Sequence, residues 1–370
     1  MSSMVQKAPE ELGIIVSGGG TGGHLFPAIA VVRELEKRVS NCRVLFIVGK
    51  RGRGVELING QGYPVAMVDV EGMKGRGLVK VLWVLFRLPW SILQSMGHIK
   101  RFAPDIVFGV GGYSAGPVCI AARLKGIPSA IHEQNAVPGL TNRMLARLVD
   151  RVFVSFEQTR ELLGGSKAVT TGMPIREELL TASEAKKEER GKFTILVVGG
   201  SQGSVAINKT FVEALRILKS KGKEVDAIHQ TGEADFERTS QDYAAKGLEG
   251  EVLPFIKDMA GAYSRADLVI CRAGASTIFE LAAVKKPAIL IPYPYSANHH
   301  QDLNAQALAD TGGAIVVLEK DMTPELLADH IGQAMDNKES LKQRAAAAGS
   351  FARPDAAKVI AENLLDLVAK

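Results

Sequence analysis

No stretch of 18 or more apolar residues occurs in the 370-residue chain, which excludes a helix that spans a bilayer. Cysteine is scarce: Cys42, Cys119 and Cys271 lie far apart, each inside an apolar stretch. Such spacing gives neither a disulfide framework nor a zinc knuckle, and all three are expected as reduced core residues. The opening MSSMVQKAPEELGIIV has acidic residues where a secretion signal needs its apolar run, so a cytoplasmic location is expected. Charge of one sign is lacking too. With 45 Lys and Arg against 40 Asp and Glu, the net charge is +5. That mild basic excess suits nucleic acid, anionic lipid or a phosphorylated ligand equally.

What the chain has is glycine, 38 residues of it, and a recurring order of elements. GIIVSG (13–18) is a short apolar run ending in a glycine cluster; beyond it Leu25, Ile29, Val32, Leu35 and Val39 recur at helical spacing. Further strands are predicted in 43–49, 105–112 and 127–135. The polar stretch 164–192 predicts a connection between domains. The pattern then restarts: FTILVVGGSQGS (193–204), a helix through Lys221, DLVICRAGAST (267–277) and PAILIPYPY (287–295). Alternation of this kind builds a parallel sheet with helices on both faces. The expected division is 1–175 and 176–351. The C-terminal helix within 352–370, opening at Pro354, is a candidate to pack back on the first domain.

Four loops carry the chemistry. GGGTGGH, Gly18 to His24, joins strand to helix with five glycines in six positions, more than a tight turn requires. It suits an anion held by backbone N–H groups and the helix dipole. The same segment matches G-x-G-x-x-G at Gly18, Gly20 and Gly23, which supports a rival reading as a dinucleotide-dependent oxidoreductase. An NAD enzyme needs an acidic residue about 20 positions on. Here the second strand ends Val48, Gly49, Lys50, Arg51, which disfavours NAD more than NADP. VGGYSAGP (110–117) is a second turn, for an anion or sugar or for packing alone. VGGSQGS (198–204) offers Ser201 and Gln202 beside backbone donors. In RAGASTIFE (272–280), Gly274 to Thr277 open a helix fit for a diphosphate, and Glu280 lies about one turn in. Glu280 either complements the helix dipole or accepts from ribose hydroxyls. Downstream, ANHHQDLNA (297–305) supplies Gln301 and Asn304 for hydrogen bonds to a neutral sugar. The adjacent His299 and His300 make a poor chelating pair.

GGGTGGH, VGGY, HEQN (132–135), GMPIR (172–176), GGSQGS, RAGASTIFE and HHQDLNA occur in this order over nearly the whole chain. In that set the sequence resembles the MurG family, the bacterial peptidoglycan N-acetylglucosaminyltransferases. The resemblance implies a GT-B fold, two Rossmann-like doubly wound parallel-sheet domains facing across a cleft. The first would serve the acceptor and the membrane, the second the donor. It implies transfer of N-acetylglucosamine, with inversion, from UDP-GlcNAc to undecaprenyl-pyrophosphoryl-MurNAc-pentapeptide (lipid I), giving lipid II. Donor contacts carried over are Thr21, Gly22, Gly23, Asn135, Arg176, Ser201, Ile256, Ala275, Ser276, Thr277, Ile278, Phe279, Glu280 and Gln301. Ile256 would give its backbone to the uracil edge, Arg176 and Ser201 would meet phosphate oxygens, and Asn135 and Gln301 would meet sugar hydroxyls. Phe279 stands where relatives often carry Ser or Cys.

An inverting transfer needs a base for the acceptor hydroxyl, and the titratable candidates are His24, ranked first, and Glu133. No Asp-x-Asp triplet is present, so neither a bound metal nor a cofactor is expected; helix dipoles and glycine loops would carry the charge. Residues 73–101 combine both tryptophans, Trp83 and Trp90, with Lys74, Arg76, Lys80, Arg87, Lys100 and Arg101, and Pro89 is expected to break any single helix. That aromatic and basic surface suits either an anionic bilayer interface or a buried helix pair with a solvated edge. With lipid I as substrate, a peripheral place on the cytoplasmic face of the membrane is expected, with no nucleic-acid partner. A noncatalytic nucleotide-sugar sensor is the remaining alternative.

Overall fold

In a computed structural model of the chain, residues 10–19, 22–50, 54–70, 78–184 and 191–369 are described. They divide into two compact units, 1–176 with 353–370, and 177–352.

The first unit holds β1 (Glu11–Ser17), β2 (Asn41–Gly49), β3 (Val65–Val68), β4 (Ile106–Gly109), β5 (Ser129–Glu133), β6 (Arg151–Val154) and β7 (Ala168–Thr170). They form one sheet in the order β3-β2-β1-β4-β5-β6-β7, and each neighbouring pair is parallel. Strand side chains alternate between two cores, as the two-residue period requires. Leu12, Ile14 and Val16 join the layer of the helix Gly22–Glu36, whereas Ile15 joins that of the helices Leu78–Phe102 and Ala115–Leu124. The C-terminal helix Ala356–Val368 buries Ile360, Ala361 and Leu364 in the first of these cores, and Asn363 accepts from Arg151.

The second unit holds β8 (Phe193–Val198), β9 (Val225–Gln230), β10 (Glu251–Leu253), β11 (Leu268–Cys271), β12 (Ala288–Leu290) and β13 (Ala314–Val316). Their order, β10-β9-β8-β11-β12-β13, repeats that of the first sheet, again all parallel. The two sheets also share a closure. Asp105 donates its N–H to the Gly13 carbonyl (2.8 Å) and accepts the Gly13 N–H on its carboxylate (2.6 Å); Asp267 does the same with Thr194 (2.8 and 2.9 Å). In each sheet the chain reverses its winding between the first strand and the fourth. The crevice outside the carboxyl ends of those two strands is where open α/β sheets take ligands.

Two expectations are corrected. The stretch 164–192 is not simply a connection: it contains the edge strand β7 and the helix Glu177–Glu184. Pro89 does not break its helix, which runs from Leu78 to Phe102. Pro89 is exposed, and the helix loses one backbone hydrogen bond there without ending. Among the described residues no helix is long and apolar enough to cross a membrane. Burial raises the Cys119 thiol to about 12 and pushes that of Cys271 up as well, as for inert core thiols. Cys42 is only half-buried.

Candidate active site

In the first unit the candidates gather at the carboxyl ends of β1, β4 and β5. Gly19 donates its N–H to the Gly111 carbonyl (2.9 Å), and the Ser114 hydroxyl donates to the Gly18 carbonyl (2.7 Å). Gly112 has φ +79 and lies so close to Gly19 that a Cβ would collide with its backbone; only glycine permits this crossing. Thr21 lies outside the described residues. Gly22 and Gly23 open the helix Gly22–Glu36, and His24 is its third residue.

The His24 ring is oriented by a relay that starts at a backbone carbonyl. Gln134, 2% exposed, donates Nε2–H to the Val110 carbonyl (2.8 Å). A carbonyl can only accept, so the amide nitrogen faces Val110 and Oε1 faces the His24 Nδ1 (3.1 Å). Neutral His24 therefore carries its proton on Nδ1, and Nε2 is its basic nitrogen. His132 lies behind, its Nε2 donating to the Gly172 carbonyl (3.2 Å). Burial, reinforced by the charge of nearby His24, lowers the His132 pKa to about 4.

Glu133 does not suit the role of base. It is 2% exposed, and its carboxylate accepts from the Asn135 N–H (3.0 Å), Asn135 Nδ2 (3.3 Å), the Gly139 N–H (3.0 Å) and Asn142 Nδ2 (2.8 Å). Bonds to an ionised acceptor are about twice as strong as neutral ones, so Glu133 fixes the loop that carries Asn135. Arg176 ends the first unit with its guanidinium over the Phe26 ring, 5.0 Å from the centroid, a stacking worth about 0.5–1 kcal/mol at exposed sites.

In the second unit the loops after β8, β9, β11 and β12 converge. Gly203 (φ +74) lies against the Thr231 carbonyl so closely that a Cβ would collide with it. Gln230 donates to the Gly200 carbonyl (3.0 Å) and accepts the Ile256 N–H (2.8 Å). The Ile256 N–H is thereby engaged within the unit. Ser201 is exposed, and Ser204 caps the helix Val205–Ser220. Gln301 accepts on Oε1 from the Ala273 and Tyr293 N–H groups (3.1 and 2.9 Å), so its amide nitrogen is the end that can donate to a sugar.

The helix Ala275–Ala283 opens at Gly274, has no acidic residue in its first turn, and places Ala275, Ser276 and Thr277 ahead of the intrahelical ladder. Glu280 accepts from the Tyr263 hydroxyl (3.2 Å). Ile278 and Phe279 fit a contact role poorly. Both side chains are buried, Phe279 packs on Phe351 with centroids 5.1 Å apart, and the Ile278 N–H is donated to the Gly274 carbonyl.

Sequence reasoning missed Gln134, Gln230, Tyr263 and Arg272 as functional side chains. Arg272 had the clearest signal, a charged residue directly after the apolar run DLVIC. Its Nη2 donates to the Ser204 hydroxyl (2.7 Å) and to Glu319, and its Nη1 to the Ile291 and Pro292 carbonyls (3.2 and 3.1 Å). At the end of β2, Lys50 pairs with Asp69 (4.0 Å); Arg51 lies outside the described residues.

Comparison with known proteins agrees with this architecture. Residues 14–154 match the glycosyltransferase family 28 N-terminal domain and residues 194–360 its C-terminal domain. The UDP-N-acetylglucosamine--N-acetylmuramyl-(pentapeptide) pyrophosphoryl-undecaprenol N-acetylglucosamine transferase of Syntrophus aciditrophicus is 44% identical over 96% of this chain and 98% of its own. The enzyme of the same name from Myxococcus xanthus is 43% identical over 96% and 93%. The crystal structure of Acinetobacter baumannii MurG superposes with a TM-score of 0.79 at 36% identity, covering 96% of this chain and 99% of that one. These likenesses set the oxidoreductase reading aside: the chain has the GT-B fold and belongs to glycosyltransferase family 28, within the MurG family of N-acetylglucosamine transferases.

Proposed function

We propose that this protein transfers N-acetylglucosamine from UDP-GlcNAc to lipid I, with inversion, to make lipid II in peptidoglycan synthesis. The observation that carries the reading is the helix start at Ala275, at the carboxyl end of β11 and free of first-turn acids. A helix start of this kind attracts phosphate through its N–H groups and dipole.

The first-turn amides of Ala275, Ser276 and Thr277, with Ser201, hold the diphosphate and stabilise the departing UDP. Glu280 accepts from the ribose hydroxyls, the Ile256 carbonyl accepts from uracil N3–H, and Gln301 donates to the sugar. From the first unit, Asn135 and Arg176 are the proposed contacts to sugar and phosphate. His24 Nε2 takes the proton of the acceptor hydroxyl as that oxygen attacks the anomeric carbon and the bond to the β-phosphate breaks.

The membrane part of the proposal rests on the helix Leu78–Phe102. Trp83, Phe86, Trp90 and Leu93 recur along one exposed face, Phe86 at 77%, with the Arg87 guanidinium 5.8 Å from the Trp83 ring centroid and Lys100 and Arg101 in the last turn. Such a face suits an anionic bilayer. Phe86→Glu should reduce binding to anionic liposomes severalfold; unchanged binding removes the helix from that role. The transfer itself is tested by UDP release with and without lipid I. Lipid-dependent release and lipid II formation are expected, whereas UDP-GlcNAc binding without product would leave a nucleotide-sugar sensor.

A further inference from the structure

We propose that Glu319 is an internal counterion that competes with the donor's diphosphate for Arg272, and so sets how readily the nucleotide product leaves. This deepens the functional reading and rests on the diphosphate subsite proposed at the helix Ala275–Ala283. Arg272 follows β11 directly, two residues ahead of the Gly274 cap, and donates to Ser204, the cap of the neighbouring helix Val205–Ser220. It therefore lies between two helix starts that both favour anions.

Its side chain is only 11% exposed, and a guanidinium so placed needs partners. The Ser204 hydroxyl, two backbone carbonyls and the Tyr293 ring, 5.4 Å from centroid to guanidinium, are all neutral. Glu319, in the turn after β13, adds the compensating charge. Arg272 would thus keep its place without that charge, but its field would no longer be cancelled. An approaching diphosphate meets a neutral pair in the native chain and an unopposed cation when the carboxylate is neutralised.

Cleavage of the sugar–phosphate bond leaves a terminal phosphate whose second ionisation falls near pH 6, so UDP carries about one more negative charge than UDP-GlcNAc. The counterion accordingly weakens the product more than the donor and leaves the nucleoside alone. Calorimetry on the full chain at low ionic strength, with uridine, UDP-GlcNAc and UDP, tests this. Glu319→Gln keeps the hydrogen-bond acceptor and removes the charge. It should tighten UDP about tenfold, tighten UDP-GlcNAc less and leave uridine unchanged, with inhibition by UDP strengthened to match. Arg272→Gln should shift the same ligands the opposite way, weakening UDP more than UDP-GlcNAc and leaving uridine unchanged.

Equal shifts for all three ligands, or no shift for UDP, would reduce Glu319 to a strut and overturn the proposal. A native chain that fails to bind UDP overturns the functional reading instead. Should Glu319→Gln not fold, Glu319→Ala carries the same expectations.

Discussion

The two units share a strand order, an all-parallel sheet and the same aspartate closure at the start of the first strand, yet the side chains that complete their site loops differ. In the first unit, backbone meets backbone at Gly19, Gly111 and Gly112, and a side-chain relay from Val110 through Gln134 ends on an oriented histidine nitrogen. In the second, backbone also crosses backbone at Gly203 and Thr231, and the loops are further tied by long polar side chains, Gln230, Arg272 and Gln301, each bonded to backbone of another loop. One topology thus delivers an oriented imidazole in one half, and N–H groups with a cation in the other. The lesson is that the doubly wound sheet fixes where the chemistry sits, while the loop residues decide what it is.

Substitutions that separate the two roles test this contrast. The largest effect is expected at His24: His24→Ala should lower kcat by about 10² or more with UDP affinity unchanged. Near-normal turnover would remove the base from the first unit. Glu280→Gln keeps the Tyr263 hydroxyl bonded but withdraws the charge, and should weaken UDP binding about tenfold, the loss of one charge-assisted hydrogen bond. Equal weakening of a ligand without ribose hydroxyls would return Glu280 to a helix-dipole role.

A further effect concerns pH and stability rather than turnover, and here the units should behave alike. His132 and His229 are fully buried, and burial lowers their pKa values to about 4 and about 3. Each stays neutral in the folded chain while the unfolded chain takes up its proton near pH 6.5. The stability they confer is complete above that value and is lost as pH falls toward 4, at up to about 1.4 kcal/mol per pH unit for each histidine. Thermal melts from pH 7 to 4 should show the decline, and His132→Gln should flatten part of it. An unchanged slope would contradict the assignment.

Much of the fold was legible because the central strands are continuous apolar runs, as strands covered on both faces must be. The strands that escaped sequence reasoning have a physical reason to. β3, β7, β10 and β13 lie at or next to sheet edges and are three or four residues long, too short for a period to show. β6 is equally short, and β9 ends in His229 and Gln230, buried polar residues satisfied by partners that sequence does not reveal. The site was legible as loops and less so as atoms. A glycine cluster between strand and helix announces itself, but whether Glu133 is a base or a brace depends on four N–H donors that only the folded loop brings together.

The most direct test is a crystal of the protein grown with UDP-GlcNAc. The account predicts the diphosphate over the first-turn amides of Ala275, Ser276 and Thr277, with the ribose hydroxyls on Glu280. A nucleotide seated instead with its diphosphate on the Gly18–Gly23 turn of the first sheet, in the manner of a dinucleotide enzyme, would contradict it.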